Sequence, residues 1–205
     1  MNIKTLFGTK LEKLLKKYLI KNEPLAKNGF FTFENLEDDA MLFIGINPSS
    51  VNDFTGNYSI KKENGIYWGR EDFKNEYPFY QHFNNLACGM KWSHLDLYFS
   101  CEKNQKALEK MNADMFLDEQ FNISKEIIKK LAPKIIVVGN AYASRLIQDK
   151  IICKFDNDIG TYRIKEYNNV PIFFSGMFTG QRALDIGSRD RLVWHINYVK
   201  ILLKL

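Results

Sequence analysis

Three loops of this sequence carry polar residues directly after a short apolar run. Asn47 comes after Met41–Ile46, Asn140 after the run that ends at Gly139, and Ser175 after Val170–Phe174. Amide and hydroxyl groups in such loops can hydrogen bond to a ligand or to water. Ligands of open α/β sheets bind beyond the carboxyl ends of the strands. We therefore expect the functional site around the loops that begin at Gly45 and Ser175.

Each of these amides also has a purely structural interpretation. Asn47 can cap the turn that follows it, with Pro48 fixing the turn geometry, and Asn140 can cap the next helix. His94 and His195 lie within predicted elements, and we expect both to be structural. The sequence alone leaves the binding and capping interpretations of the two amides open.

The cysteine content and the missing motifs exclude several common classes of site. The three cysteines, Cys88, Cys101 and Cys153, are isolated, so they cannot form a four-cysteine metal site or a disulfide framework. The chain contains no G-x-x-x-x-G-K-[ST], G-x-G-x-x-G, G-x-S-x-G or H-E-x-x-H pattern. We therefore expect no metal and no cofactor, and reduced thiols in the core.

The elements that must position these loops alternate between strands and helices. Apolar runs without polar alternation are typical of strands buried on both faces, and spacings of three and four residues are typical of helices. We predict α/β class: a three-layer α/β/α sandwich with a small central parallel sheet of about four strands. The strands are predicted at 41–46, 94–100, 134–139 and 170–174, with an edge strand at 162–167, and the helices at 6–20, 80–88, 123–131, 142–147 and 188–203. Residues 51–77 are predicted to form a long ordered loop, in which a helical turn can occur.

The composition is that of an ordinary globular protein. The 205 residues contain no linker-like stretch, which predicts one domain over 1–205. No apolar run approaches the ~18 residues that span a bilayer, and the N-terminus lacks a signal-peptide pattern, so we expect a cytoplasmic monomer without membrane contact. The net charge of +5 permits a polyanionic partner such as DNA without requiring one.

The segment Leu42-Phe43-Ile44-Gly45-Ile46-Asn47-Pro48 resembles the first motif of the uracil-DNA glycosylase superfamily. The likeness is to the G-I-N-P branch, which includes mismatch-specific and single-strand-selective enzymes. The later elements follow in the matching order: a helix ending in L-x-P-K, a strand ending in V-V-G-N-A, and a last strand with a Ser-Gly loop. The resemblance covers roughly Met41 to Leu203.

The resemblance implies a DNA glycosylase-like enzyme that hydrolyses the N-glycosidic bond of a deaminated or damaged base, without a metal. Asn47 matches the residue that positions the attacking water, and an amide there implies slower catalysis, dominated by orientation, than an aspartate would give. An aromatic ring between Gly65 and Gly69 would stack on the extruded base, and we favour Trp68 over Tyr67, with core packing as the alternative. The base-binding residues implied are Gly45, Ile46, Pro48, Tyr67, Trp68, Phe99 and Asn140.

The resemblance also implies that the loop after the last strand inserts into the duplex and grips phosphates. Met177 and Phe178 would form the apolar wedge, the hydroxyls of Ser175 and Thr179 would bind phosphates, and Arg182 would act as a charge clamp. The DNA-binding residues implied are Ser175, Gly176, Met177, Phe178, Thr179, Gln181 and Arg182.

Two motifs depart from the family pattern. The last loop reads Ser175-Gly176-Met177 instead of His-Pro-Ser or Asn-Pro-Ser, and Phe99-Ser100-Cys101 stands where many members carry a base-reading Asn. These departures favour a second hypothesis, a catalytically inactive nucleic-acid or nucleotide-binding module with the same fold. An unrelated hydrolase that shares only the α/β layout is a third.

Overall fold

The computed structural model describes residues 1–49, 59–103, 105, 108, 114–179 and 183–205. Its helices are α1 (Ile3–Ile20), α2 (Pro24–Lys27), α3 (Phe73–Glu76), α4 (Pro78–Leu86), α5 (Asp114–Leu131), α6 (Ala141–Lys150) and α7 (Ile186–Leu202). Its strands are β1 (Phe30–Phe33), β2 (Met41–Gly45), β3 (Ile60–Glu63), β4 (Ile66–Gly69), β5 (Trp92–Asp96), β6 (Ile135–Val138), β7 (Cys153–Asp156), β8 (Thr161–Ile164) and β9 (Val170–Phe174). The predicted α/β class is confirmed.

The main sheet has six strands in the order β5-β2-β6-β9-β8-β7, more than the four or so predicted. The central strands β2, β6 and β9 run parallel, and nearly all of their residues are buried, as the apolar runs indicated. β8 and β7 extend the sheet as an antiparallel hairpin. β7 was not predicted, because its sequence Cys-Lys-Phe-Asp is short and no residue of it is fully buried.

A second sheet, of three strands, lies partly in the segment predicted to be a loop. β3 and β4 form an antiparallel hairpin, and β1 pairs with β4 in parallel. The hairpin turn is Asn64-Gly65, and both residues have positive φ, 50° and 83°. Such a turn requires the left-handed region at both positions, which Asn-Gly supplies at little cost. The prediction of a loop over 51–77 was therefore wrong for 60–69.

Three predicted boundaries also shift, and the first is that of the edge strand expected at 162–167, which is β8 (Thr161–Ile164) followed by a short 3-10 helix at Lys165–Tyr167. The strand expected at 94–100 is β5, which ends at Asp96, so Leu97–Ser100 belong to the following loop. The helix expected at 123–131 is α5, which begins at Asp114. The loop after β5 is consequently longer than the sequence indicated.

The chain divides into two compact units, each assembled from three stretches of sequence. Unit 1 comprises Met1–Leu36, Ile46–Tyr77 and Leu95–Lys130, and unit 2 comprises Glu37–Gly45, Pro78–His94 and Leu131–Leu205. Because the stretches interleave, no linker-like segment marks a boundary between them. Among the described residues, no helix combines the length and the apolar character needed to cross a membrane.

The basic face of α1, formed by Lys10, Lys13, Lys16 and Lys17, is partly paired with acidic side chains of α5 within unit 1. Lys10 forms an ion pair with Glu126, and Lys17 forms one with Glu119, which also accepts a hydrogen bond from Tyr18. These pairs are about half exposed, so each contributes no more than about 1 kcal/mol. The pairing favours a solvated surface over a phosphate-binding role for this face.

Candidate functional site

The Asn47 side chain holds two loops of unit 1 together. Its Nδ2 donates to the carbonyl oxygens of Pro48 and Glu102, both at 2.7 Å, and approaches the Ser100 carbonyl at 3.4 Å. Only the nitrogen end of an amide can donate, so these carbonyls fix its orientation. Among the helices of the described residues, this half-buried side chain caps none. Instead it cross-links the G-I-N-P loop to the loop that follows β5.

Main-chain hydrogen bonds continue this connection between the two loops. The Tyr98 nitrogen donates to the Ile46 carbonyl at 2.8 Å, and the Glu102 nitrogen donates to the Pro48 carbonyl at 3.0 Å. Ile46 and Pro48, which the resemblance assigns to the base pocket, are both buried. Their backbone is therefore part of the scaffold that orients Asn47.

Gln120 of α5 supports the loop after β5. Its Oε1 accepts from the backbone nitrogens of Phe99 at 2.7 Å and Ser100 at 3.0 Å, and its Nε2 donates to the Ser100 hydroxyl at 3.0 Å. Ser124, one turn later, donates to the Leu97 carbonyl at 2.9 Å. Gln120 is fully buried. The one signal for Gln120 in the sequence is that a polar residue occupies a position on the buried face of α5.

The Phe99 side chain lies in the core of unit 1. It is 0% exposed, and its ring is 6.0 Å from that of Phe30 in β1. Phe99 was predicted to bind a base, but its ring is not accessible to one, because the side chain points toward β1.

Asp96 is a buried carboxyl group at the end of β5 that the sequence analysis passed over. Burial raises its pKa to about 8, and burial together with the nearby Asp96 raises the pKa of the Cys101 thiol. A carboxyl with such a pKa can hold or release a proton near neutrality. The signal in the sequence is the charged residue inside the otherwise apolar His-Leu-Asp-Leu-Tyr segment.

Trp68 does not offer a face on which a base could stack. Its side chain is 1% exposed and packs against α1, where a Cβ at Gly8 would lie 3.8 Å from the indole ring. Neighbouring residues of a strand point to opposite faces, so Tyr67 is the more accessible ring, with the Lys62 ammonium 4.8 Å from its centroid. Trp68 therefore packs in the core, the alternative to base stacking, because its side of β4 faces α1.

In unit 2, the carboxyl ends of three parallel strands lie side by side. The Gly139 nitrogen donates to the Ile44 carbonyl at 3.0 Å, and the Ser175 nitrogen donates to the Val138 carbonyl at 2.9 Å. Gly45, Asn140 and Ser175, which follow these strands, are therefore brought to one edge of the sheet. This is the arrangement expected from the apolar runs.

The half-buried side chain of Phe178 packs over the end of β6 in unit 2. A Cβ at Gly139 would come closer than 3.0 Å to three atoms of the Phe178 ring. The ring also contacts Phe83 and Phe43, with centroids 5.7 and 6.1 Å away. In this position the ring anchors the loop, and it would have to leave the cluster to act as a duplex wedge.

The rest of the last loop is half-buried and partly accessible. Met177 pairs with Ala183 in an isolated bridge, and the Leu184 nitrogen donates to the Met177 carbonyl at 2.9 Å. Ser175, Gly176 and Thr179 retain partial exposure. Gln181 and Arg182, also predicted to bind DNA, lie outside the described residues.

Asn140 caps helix α6. Its Oδ1 accepts from the backbone nitrogens of Tyr142 and Ala143 at 2.8 and 3.0 Å, from an extended backbone conformation. Of the two interpretations that the sequence left open for Asn140, these contacts support helix capping. We expect Asn140→Ala to lower the free energy of unfolding by about 1–2 kcal/mol, whereas Asn140→Asp keeps an acceptor at the helix N-terminus and most of the stability. Urea unfolding of both variants tests this, and equal losses in the two would contradict it.

The two histidines singled out in the sequence have structural surroundings within unit 2. His94 is 4% exposed and packs among aromatic rings, with Phe83 5.5 Å away. A ring nitrogen of His195 lies 2.7 Å from the Ile159 carbonyl. Over the described part of the chain, no group of three or more His, Cys, Asp or Glu residues could hold a metal ion.

Comparison of the chain with family models, with curated proteins and with solved structures found no match. The functional assignment therefore depends on the residues and the geometry described above.

Proposed function

We propose that the protein is a DNA glycosylase-like enzyme that hydrolyses the N-glycosidic bond of a deaminated or damaged base in DNA. The observation that carries this proposal is the anchored amide of Asn47. Its Nδ2 is occupied by backbone carbonyls, and among the described residues none donates to its Oδ1. The oxygen is thus held in one direction, and within the described part of the chain its acceptor capacity is unused.

An acceptor held in this way suits a hydrolysis in which water is oriented more than deprotonated. Cleavage of an N-glycosidic bond develops oxocarbenium character on the sugar, which makes it electrophilic enough to react with a positioned water. The amide oxygen would accept a hydrogen bond from that water and direct its lone pair to the sugar. Asp96, in the same unit, adds a carboxyl that can exchange a proton near neutral pH.

The test is base release from oligonucleotides that contain uracil, hypoxanthine, xanthine or a mismatch, with alkali to cleave abasic sites. We expect release from at least one substrate and a loss on the order of 100-fold in Asn47→Ala, because the water is no longer oriented. The matched control is Asn122→Ala, which removes an exposed amide from α5 in the same unit and should leave the rate unchanged.

Because Asn47 also links two loops, each variant needs a thermal melt and a DNA-binding measurement. A folded Asn47→Ala protein that binds DNA but has lost base release supports the water-positioning role. If a folded Asn47→Ala protein releases the base at the wild-type rate, the water-positioning role of Asn47 is wrong.

A second candidate is a nucleic-acid or nucleotide-binding module without catalysis. Two features of unit 2 favour it: Ser175-Gly176-Met177 supplies no His or Asn to stabilise a departing base, and the Phe178 ring is engaged in the aromatic cluster. This candidate predicts measurable binding of DNA or nucleotide with no abasic product from any substrate. Absence of binding would exclude it as well.

A further inference from the structure

Helix α7 carries an exposed apolar surface in unit 2. Exposed large hydrophobic side chains concentrate near its C-terminal end, with Trp194 and Ile201 each 68% exposed. We call this set the α7 patch; its members are Trp194, Tyr198, Ile201, Leu202 and Leu205. Contiguous apolar surface of this kind marks an interaction site more often than isolated exposed residues do.

The α7 patch follows the geometry of a helix–helix seam. Trp194, Tyr198 and Ile201 are spaced by four and three residues, which places them on one face of the helix. The opposite face, with Ile196 and Val199 at 0% exposure, packs into unit 2. The Trp194 and Tyr198 rings are parallel within 7°, with centroids 5.7 Å apart, and present one continuous aromatic surface.

A groove runs beside this face. It has a volume of about 600 Å³ and lies between α7 and the turn that joins β7 to β8. Trp194 and Tyr198 form one wall, and residues 157–160 form the other. The groove can receive large side chains from a partner helix that lies along the α7 patch.

We propose that the α7 patch binds the same patch of a second copy of this chain, with the two helices antiparallel. The five side chains expose roughly 500 Å². With a rim of neighbouring polar residues, the surface approaches the area that each partner of a stable complex buries, about 800 Å². A two-fold axis near residue 197 brings each Trp194–Tyr198 pair against its counterpart.

The charges at the ends of the face fit this antiparallel arrangement. Exposed Asp190 lies one turn before Trp194, and exposed Lys204 lies just beyond the end of α7. Antiparallel pairing places Asp190 of one copy beside Lys204 of the other, and it also opposes the two helix dipoles. A parallel pair would set like charges together. This dimer differs from the monomer expected from the sequence.

The experiment is light scattering coupled to gel filtration on the full chain over roughly 1–100 μM. We expect a species of twice the 24.0 kDa chain mass, and the chain mass for Trp194→Glu and Ile201→Glu. Both positions are exposed, so the variants should keep the wild-type circular dichroism spectrum. The matched control is Ile152→Glu, which is 83% exposed in the same unit but outside the patch, and should remain dimeric.

Charge reversal tests the orientation of the pair. Asp190→Lys should weaken the dimer, and addition of Lys204→Asp should restore it. Wild-type protein that is monomeric throughout the range overturns the proposal, as does a folded Trp194→Glu that stays dimeric. A dimer insensitive to the charge changes overturns the antiparallel arrangement.

Discussion

Replacement of Asp96 by Asn is expected to stabilise the protein, by an amount that grows with pH. Burial raises the pKa of this carboxyl from 3.8 to about 8, so the folded state holds a proton that the unfolded state releases. The contribution of Asp96 to wild-type stability is then most favourable below about pH 4, falls as the pH rises to about 8, and levels off above it. The amide has the same shape without the charge. At pH 9 the gain should be on the order of 3–5 kcal/mol.

Urea unfolding at pH 5, 7 and 9 measures this effect. Asp156→Asn is a control of opposite sign, since the hydrogen bond from Arg163 holds the pKa of that carboxyl below its usual range. Its stabilising contribution is present above the unfolded pKa and disappears in acid, so Asp156→Asn should lower stability at pH 7. A loss of stability in Asp96→Asn at pH 9 would show that the wild-type carboxylate is ionised and paired.

Gly139→Ala is expected to destabilise the protein by about 2–3 kcal/mol, although it adds only one methyl group. The new Cβ would overlap the Phe178 ring, which is held in turn by Phe43 and Phe83. Relief of the overlap requires the ring to leave its packing position or the end of β6 to shift. Urea unfolding at neutral pH measures the change in free energy.

A double-mutant cycle identifies the cause. In a Phe178→Ala background the overlap is absent, so Gly139→Ala should cost only a few tenths of a kcal/mol. Gly8→Ala, within α1, is the matched control. The added Cβ would lie 3.8 Å from the Trp68 ring, an ordinary van der Waals contact, so this variant should gain up to about 1 kcal/mol of stability. If the Gly139→Ala cost persists without the Phe178 ring, a backbone effect at β6 is responsible.

The parts of the fold that the sequence predicted are those in which burial alone decides the structure. β2, β6 and β9 are apolar runs because both faces of a central parallel strand are covered. In the edge hairpin, β8 was predicted as an edge strand, whereas β7 is short and has no fully buried residue, so its pattern resembles that of a loop. The Asn64-Gly65 turn is a local signal that does identify the β3–β4 hairpin.

The candidate site was predictable in position but not in detail. Asn47 follows β2 as expected, yet two of its three hydrogen-bond partners lie more than 50 residues further along the chain. Tyr67 and Trp68 are adjacent in the sequence, and which of them is buried depends on the orientation of β4 relative to α1. In this fold the Trp68 side of β4 faces α1, so Trp68 lies in the core. Gln120 and Asp96 belong to no recognisable motif, and the tertiary structure alone shows that both are buried.

The interleaved stretches of the two units set an order for folding during synthesis. Every residue of unit 1 has been made once Lys130 is added, so that unit can form while translation continues. β2 belongs to unit 2, and its parallel partners β6 and β9 come roughly 90 and 130 residues later. The G-I-N-P loop is thus able to close onto Ser100 and Glu102 when β2 has only its edge neighbour β5 available, before β6 and β9 complete the sheet.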